Sequence, residues 1–92
     1  MAPDESPLER APDVLFQDLD GEVLVLRPGG QDVLHLNQTA SDVWQLLDVA
    51  STAAELAELL AEAYDVPVAQ VRGDLEPLVE LLLERGVVRR RP

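Results

Sequence analysis

The sequence predicts an α+β domain, a three-stranded antiparallel sheet packed on three helices in a winged helix-turn-helix-like order. Three observations carry that expectation. Two strand-like runs flank Asp20-Gly21, a third run follows a Pro-Gly-Gly turn, and from Asn37 onward the apolar period changes from that of a strand to that of a helix. Ninety-two residues, 47% of them hydrophobic, suffice for one core and one domain.

Residues 1–12 hold three prolines and four charged side chains without periodicity, and read as a disordered acidic arm. The domain proper is expected over residues 13–88, followed by a basic tail at 89–92. Its first strand covers residues 14–19. Asp20-Gly21 then suits a type I′ hairpin, whose two central residues both need positive φ. The second strand, residues 22–26, contains the unbroken apolar run Val23-Leu24-Val25-Leu26, as expected of a strand paired on both sides. A turn over residues 27–31 leads into the third strand, residues 32–36.

Asn37 is a good N-cap for the first helix, which should end near Asp48 and carries Ala40, Val43, Trp44 and Leu47 on one face. Trp44 is its core anchor. Thr52 and Glu55 stand at the spacing of a capping box, opening a second helix with a stripe of Leu56, Leu59, Leu60 and Ala63. The third helix begins near Pro67, runs to about Arg85 and stops at Gly86, with Val68, Val71, Leu75, Leu78 and Leu82 along one face. Pro77 either kinks this helix or, if the continuous helix starts only at Gly73 or Asp74, sits in its first turn.

Little in the chain can do chemistry. The absence of Cys excludes a disulfide framework, thiolate metal sites and thiol catalysis. His35 stands on the opposite strand face from Leu34 and Leu36, with no nearby nucleophile or second ligand, and is expected to be a surface or groove residue. Glu55, Glu58 and Glu62 fall at helical spacing opposite the leucines and form a solvated face. Ser41, Ser51 and Thr52 stand at helix starts, where capping accounts for them. Gly29-Gly30 joins strands without a following helix N-terminus or Lys, so it cradles no phosphate. No catalysis and no cofactor are expected.

Charge narrows the partners. The net charge of -11 is distributed as -5 over residues 1–20, -3 over 21–50, -7 over 51–84 and +4 over 85–92. Between Ser51 and Glu84 only Arg72 is basic, which argues against a DNA recognition helix despite the winged-helix order. Nucleic acid and anionic membrane are excluded as partners, and a basic peptide or protein surface is favoured. The Arg85, Arg89, Arg90 and Arg91 cluster is expected to be solvated or paired with the acidic body. The first residues lack a basic n-region and apolar h-region, and no run approaches the roughly 18 apolar residues of a membrane span, so the expected compartment is the cytoplasm.

The segment Leu34-His35-Leu36-Asn37-Gln38-Thr39-Ala40-Ser41-Asp42-Val43-Trp44-Gln45-Leu46-Leu47-Asp48 resembles the leucine-Asn-x-Thr-Ala signature of the PqqD-like family. These are the recognition elements that bind leader peptides of ribosomally made, post-translationally modified peptides. The similarity extends over about residues 14–88, through Glu55-Leu56-Ala57-Glu58-Leu59-Leu60, Tyr64 and Asp74-Leu75 to Glu84-Arg85-Gly86-Val87-Val88. It departs from the family at Val49, where a Gly is usual, and at Pro77.

The resemblance implies a non-catalytic domain whose third strand accepts a leader peptide as an added strand, lying in a cleft against the third helix. On this chain those elements supply Val33, Leu34, His35 and Leu36 from the strand, and Val71, Arg72, Asp74, Leu75, Leu78, Val79 and Leu82 from the helix. It further implies a stand-alone protein presenting a precursor to a leader peptidase, a cyclase or a radical enzyme, with a lasso-peptide pathway favoured. The alternatives are a peptide chaperone of pyrroloquinoline quinone biosynthesis, an acidic winged-helix regulator, or a protein-interaction module.

Overall fold

Asp20 and Gly21 take φ values of 56° and 91°, the two positive angles that a type I′ turn demands. The hairpin they close joins Leu15–Leu19 to Glu22–Leu26, with Leu15 opposite Leu26 and Leu19 opposite Glu22. The computed structural model describes residues 7–27 and 33–91. Its elements are β1 (Leu8–Arg10), β2 (Leu15–Leu19), β3 (Glu22–Leu26), β4 (Val33–His35), α1 (Gln38–Leu46), α2 (Ala53–Tyr64), α3 (Val68–Glu84) and β5 (Val88–Arg90). The expected three-stranded sheet is present in the order β2-β3-β4, antiparallel throughout, with the helices following. Most of the expected second turn, residues 28–32, lies outside the described residues, as do residues 1–6.

The helix signals hold in detail. Asn37 caps α1 by accepting from the Ala40 N–H at 2.9 Å. Thr52 and Glu55 form the reciprocal capping box of α2. α3 is one continuous helix from Val68 with Pro77 inside it, so the later start at Gly73 or Asp74 does not occur. Pro77 and Gly73 are both exposed, and water can take up the carbonyl that the ring leaves without its helical donor. Gly86, at φ 75°, ends α3 in a Schellman arrangement, with Gly86 N–H donating to Leu83 and Val87 N–H to Leu82.

Trp44 is fully buried among Val23, Val25, Val43, Leu56, Leu60 and Leu82. On α2 the buried stripe is Leu56, Ala57, Leu60 and Ala61. The expected Leu59 and Ala63 are exposed instead, because close packing of α2 on its neighbours selects the two alanines at that angle. Val68 is likewise largely exposed.

The structure differs most from the sequence expectation at the two ends of the domain. Residues 8–10 of the expected disordered arm form β1, which pairs antiparallel with β5, Leu8 opposite Arg90 and Arg10 opposite Val88. Leu8 is buried, and its N–H donates to the Ser51 carbonyl. Glu9 receives Arg89 at 2.5 Å and Arg91 at 3.1 Å, so the basic tail does pair with the acidic body. The Arg89 hydrogen bond, followed by that of Arg91, holds the Glu9 carboxyl below its ordinary pKa.

Arg10 carries the clasp inward. Its guanidinium lies 4.8 Å from the Phe16 ring centroid, while its Nη1 donates to Asp48 at 2.6 Å.

Candidate functional site

β4 is an edge strand: β3 covers one side, and among the described residues no strand pairs with the other. Its register sets Leu24 opposite His35, Val25 opposite Leu34 and Leu26 opposite Val33. The next pair in that register is Val23 and Leu36, and the Leu36 N–H donates to the Val23 carbonyl at 2.9 Å. Since antiparallel pairs alternate between bonded and non-bonded, Leu34 and Leu36 direct their backbone groups toward β3. Val33 and His35 therefore direct theirs toward the open edge.

Ser41 fixes where that ladder ends. Its buried hydroxyl accepts from the Val23 N–H at 2.8 Å and donates to the Leu36 carbonyl at 3.1 Å, replacing the second bond of the last pair. The expectation that Ser41 serves as a helix cap is thereby corrected, because Asn37 already fills that position and Ser41 lies one turn into α1. Ser51 and Thr52 do serve the start of α2, both bonding Glu55.

Side chains of β4 divide by face. Leu36 is buried and Leu34 half-buried against the core, while Val33 and His35 are exposed. His35 Nε2 stands 3.5 Å from Glu22 Oε1 across the sheet, a surface position as expected.

On α3 the expected residues separate into three groups. Val71, Leu75, Val79 and Leu82 are buried and form the core-facing stripe, so their role is packing. Arg72 turns to one flank, where it borders a cavity of about 380 Å³ with Leu8, Gly73, Leu75, Glu76 and Arg90. Asp74 and Leu78 stand on the other flank, continued at helical spacing by Leu81 and Arg85.

That second flank faces the sheet, because Arg27, which follows β3, reaches across to donate to the Arg85 carbonyl at 3.1 Å. Leu78 is half-buried there and Leu81 is 39% exposed, an apolar surface on the side of α3 that Arg27 reaches. The place of Leu81 and Arg27 at this surface was not legible in the sequence. The run Leu78-Val79-Glu80-Leu81-Leu82-Leu83 has apolar side chains on every side and no period to separate flank from core. Spacing from Leu78 by three residues is the one signal that picks out Leu81.

The chemistry available here is main-chain pairing and apolar contact. Among the described residues no group of His, Asp and Glu side chains could hold a metal ion, and no helix is long and apolar enough to cross a membrane. The Tyr64 hydroxyl donates to Asp42 on α1, and partial burial followed by that acceptor pushes its pKa up to about 12.

Residues 22–88 match the family described as coenzyme PQQ synthesis protein D, PqqD. No curated protein matches the chain in sequence. Among solved structures, TbiB1 in complex with the TbiA(beta) leader peptide superposes with a TM-score of 0.81 at 20% identity, over 91% of this chain and 98% of that one. A lasso peptide synthetase B1 complexed with its leader peptide gives 0.76 at 26% identity, over 91% and 99%. The PqqD truncation of Methylobacterium extorquens PqqCD, described as a functional stand-alone recognition element, gives 0.77 at 21% identity, over 95% and 93%.

Proposed function

The chain belongs to the PqqD family, and on that premise we propose that it is a non-catalytic recognition element for the leader region of a ribosomally synthesised precursor peptide. The leader adds as a fourth strand beside β4, taking the outward N–H and C=O groups of Val33 and His35. Its alternate side chains pack on the flank of α3 formed by Leu78 and Leu81. Asp74 and the Arg27–Arg85 bridge mark the two ends of that flank.

The observation that carries the proposal is the open β4 edge, whose outward backbone groups are suited to strand addition, and the partly exposed apolar flank of α3 offers a second surface for the added strand. Two of the matched structures hold leader peptides, which supports the same assignment. The protein presents the bound precursor to separately encoded enzymes, a leader peptidase and cyclase of a lasso pathway being favoured by the likeness to lasso peptide synthetase B1. A peptide chaperone of pyrroloquinoline quinone biosynthesis is the second reading, favoured by the family match itself.

Titration of a labelled leader from the same locus against the purified protein tests the proposal. Saturable binding with competition by unlabelled leader is expected, and leaders from the two pathway types distinguish the readings. Absence of binding to any precursor encoded nearby would remove the proposal.

A further inference from the structure

Arg27 and Arg85 stand apart from the other cations of the chain. Arg10 pairs with Asp48, Arg89 and Arg91 share Glu9, and Arg72 and Arg90 are likewise engaged. Arg27 and Arg85 are both exposed, and among the described residues no carboxylate, the adjacent Glu84 included, forms an ion pair with either. In a chain of 18 acidic residues, two neighbouring cations without a counter-charge are a surface left for a ligand.

The register fixes where they stand. Leu26 is opposite Val33, so Arg27, the next residue, lies at the Val33 end of the β3–β4 pair. Strand alternation turns its side chain to the helix side, with the buried Val23 and Val25. From there its Nη1 donates to the Arg85 carbonyl at the end of α3. Gly86 permits this passage, since a Cβ at that position would collide with the Arg27 guanidinium. The bond also offsets the partial negative charge of the helix C-terminus. Arg27 retains Nε and Nη2, and Arg85 its whole guanidinium, for an acceptor from outside.

From this pair we infer that the leader carries an Asp or Glu at the end of its strand that lies beside Val33, and that Arg27 and Arg85 hold its carboxylate. The inference rests on strand addition at β4 and deepens it by naming a residue class in the leader. Guanidinium groups around a carboxylate supply charge-assisted bonds of fixed direction. The preference is local and opposite in sign to that of the whole chain, whose net -11 draws a basic partner. Asp74 lies about 16 Å back along α3 from Arg85, at about 1.5 Å per residue. A strand covers that length in about five residues, so a leader laid along the flank meets cations at one end and an acid at the other, which sets its direction.

The probe is the leader of the precursor encoded in the same gene cluster, synthesised with each Asp replaced singly by Asn and each Glu by Gln. Every peptide is titrated against the parent protein, Arg85→Gln and Arg27→Gln. One replacement is expected to weaken binding to the parent about tenfold, and each protein variant to weaken the unmodified leader by a similar factor. Combined, the two changes should cost little more than either alone, because they break the same contact. Arg85→Glu paired with Arg at that leader position should recover most of the lost affinity. Amide replacements that all leave parent affinity unchanged would overturn the inference, and so would a leader without Asp or Glu, or losses that multiply in the combined measurements. The peptide series on the parent alone decides the matter should a protein variant fail to fold. Failure of the parent to bind the unmodified leader would instead remove the reading on which the inference rests, a result separate from all of these.

Discussion

The Arg10 guanidinium stands 5.2 Å from the centroid of the Trp44 ring, and its Nη2 donates to the Trp44 carbonyl oxygen. The largest fully buried side chain among the described residues is thus covered by a cation delivered from the N-terminal strand. Phe16 meets Trp44 edge-on at 5.4 Å, so the cation bridges two rings already in contact.

Arg10→Ala should therefore lower stability by about 2 kcal/mol, the sum of a charge-assisted hydrogen bond and partly desolvated cation–π contact, with little from the exposed Asp48. Arg10→Lys should recover less than half of that, because an ammonium cannot serve both the Trp44 carbonyl and the Asp48 carboxylate in the same plane. Urea denaturation of the two variants measures both. Parent-like stability in Arg10→Ala would show that the Arg10 contacts with Trp44 and Phe16 contribute nothing to stability.

Proline placed along β4 gives a second outcome. At Leu34 and Leu36 it removes an N–H directed at β3 and should unfold or severely destabilise the domain. At Val33 and His35 the lost N–H faces the open edge, so these variants should melt near the parent temperature while leader affinity falls about tenfold or more. Thermal melts and leader titrations on all four separate the outcomes. Folded Val33 and His35 variants with parent affinity would rule out strand addition at this edge.

The helix flank is tested by contrasting core and surface. Leu81→Ala should leave stability within about 0.5 kcal/mol of the parent and weaken leader binding, whereas Trp44→Ala should cost about 3 to 5 kcal/mol. Leu78→Ala, at a half-buried position, should do some of each. Isothermal titration paired with chemical denaturation reads both quantities, and parent-like leader binding by Leu81→Ala would move the cleft elsewhere.

Acid should loosen the start of α2. The Ser51 backbone N–H, then the Thr52 hydroxyl and N–H, hold the Glu55 carboxyl below its ordinary value of 4.5. A folded-state value depressed in this way gives a contribution that is complete above 4.5 and is lost as the pH falls through the folded value. Glu55→Gln keeps an acceptor for the capping box but cannot titrate, so its melting temperature should fall less steeply than the parent's in that window. Identical slopes would dissociate Glu55 from the acid response.

Local signals in the sequence were accurate at most positions where a short-range rule decides the geometry, Ser41 being the exception. Asp20-Gly21, the Asn37 cap, the Thr52–Glu55 box and Gly86 each stand where residues within a few positions of one another fix the backbone. What needed a distant partner was hidden. Leu8 is a single apolar residue between prolines and acids, and its burial depends on β5, about eighty residues away, which no local period reports. The site shows the same division. Of the seven helix residues that the resemblance named, four are buried in the core. A helix that packs on one side and lines a cleft on the next presents leucine to both, and only the packed structure separates them.

The clasp between β1 and β5 has a consequence for the order of folding. The hairpin, the β3–β4 pairing and the helical contacts join segments close in sequence, whereas Leu8 meets Arg90 only after most of the chain is in place. Closing so long a loop costs entropy before any contact offsets it, so this pairing is formed last and opened first. Amide protons of β1 should exchange through brief openings that leave the three-stranded sheet intact. Each such opening also withdraws Arg10 from Trp44, so the indole would report by its fluorescence on an event at the far ends of the fold.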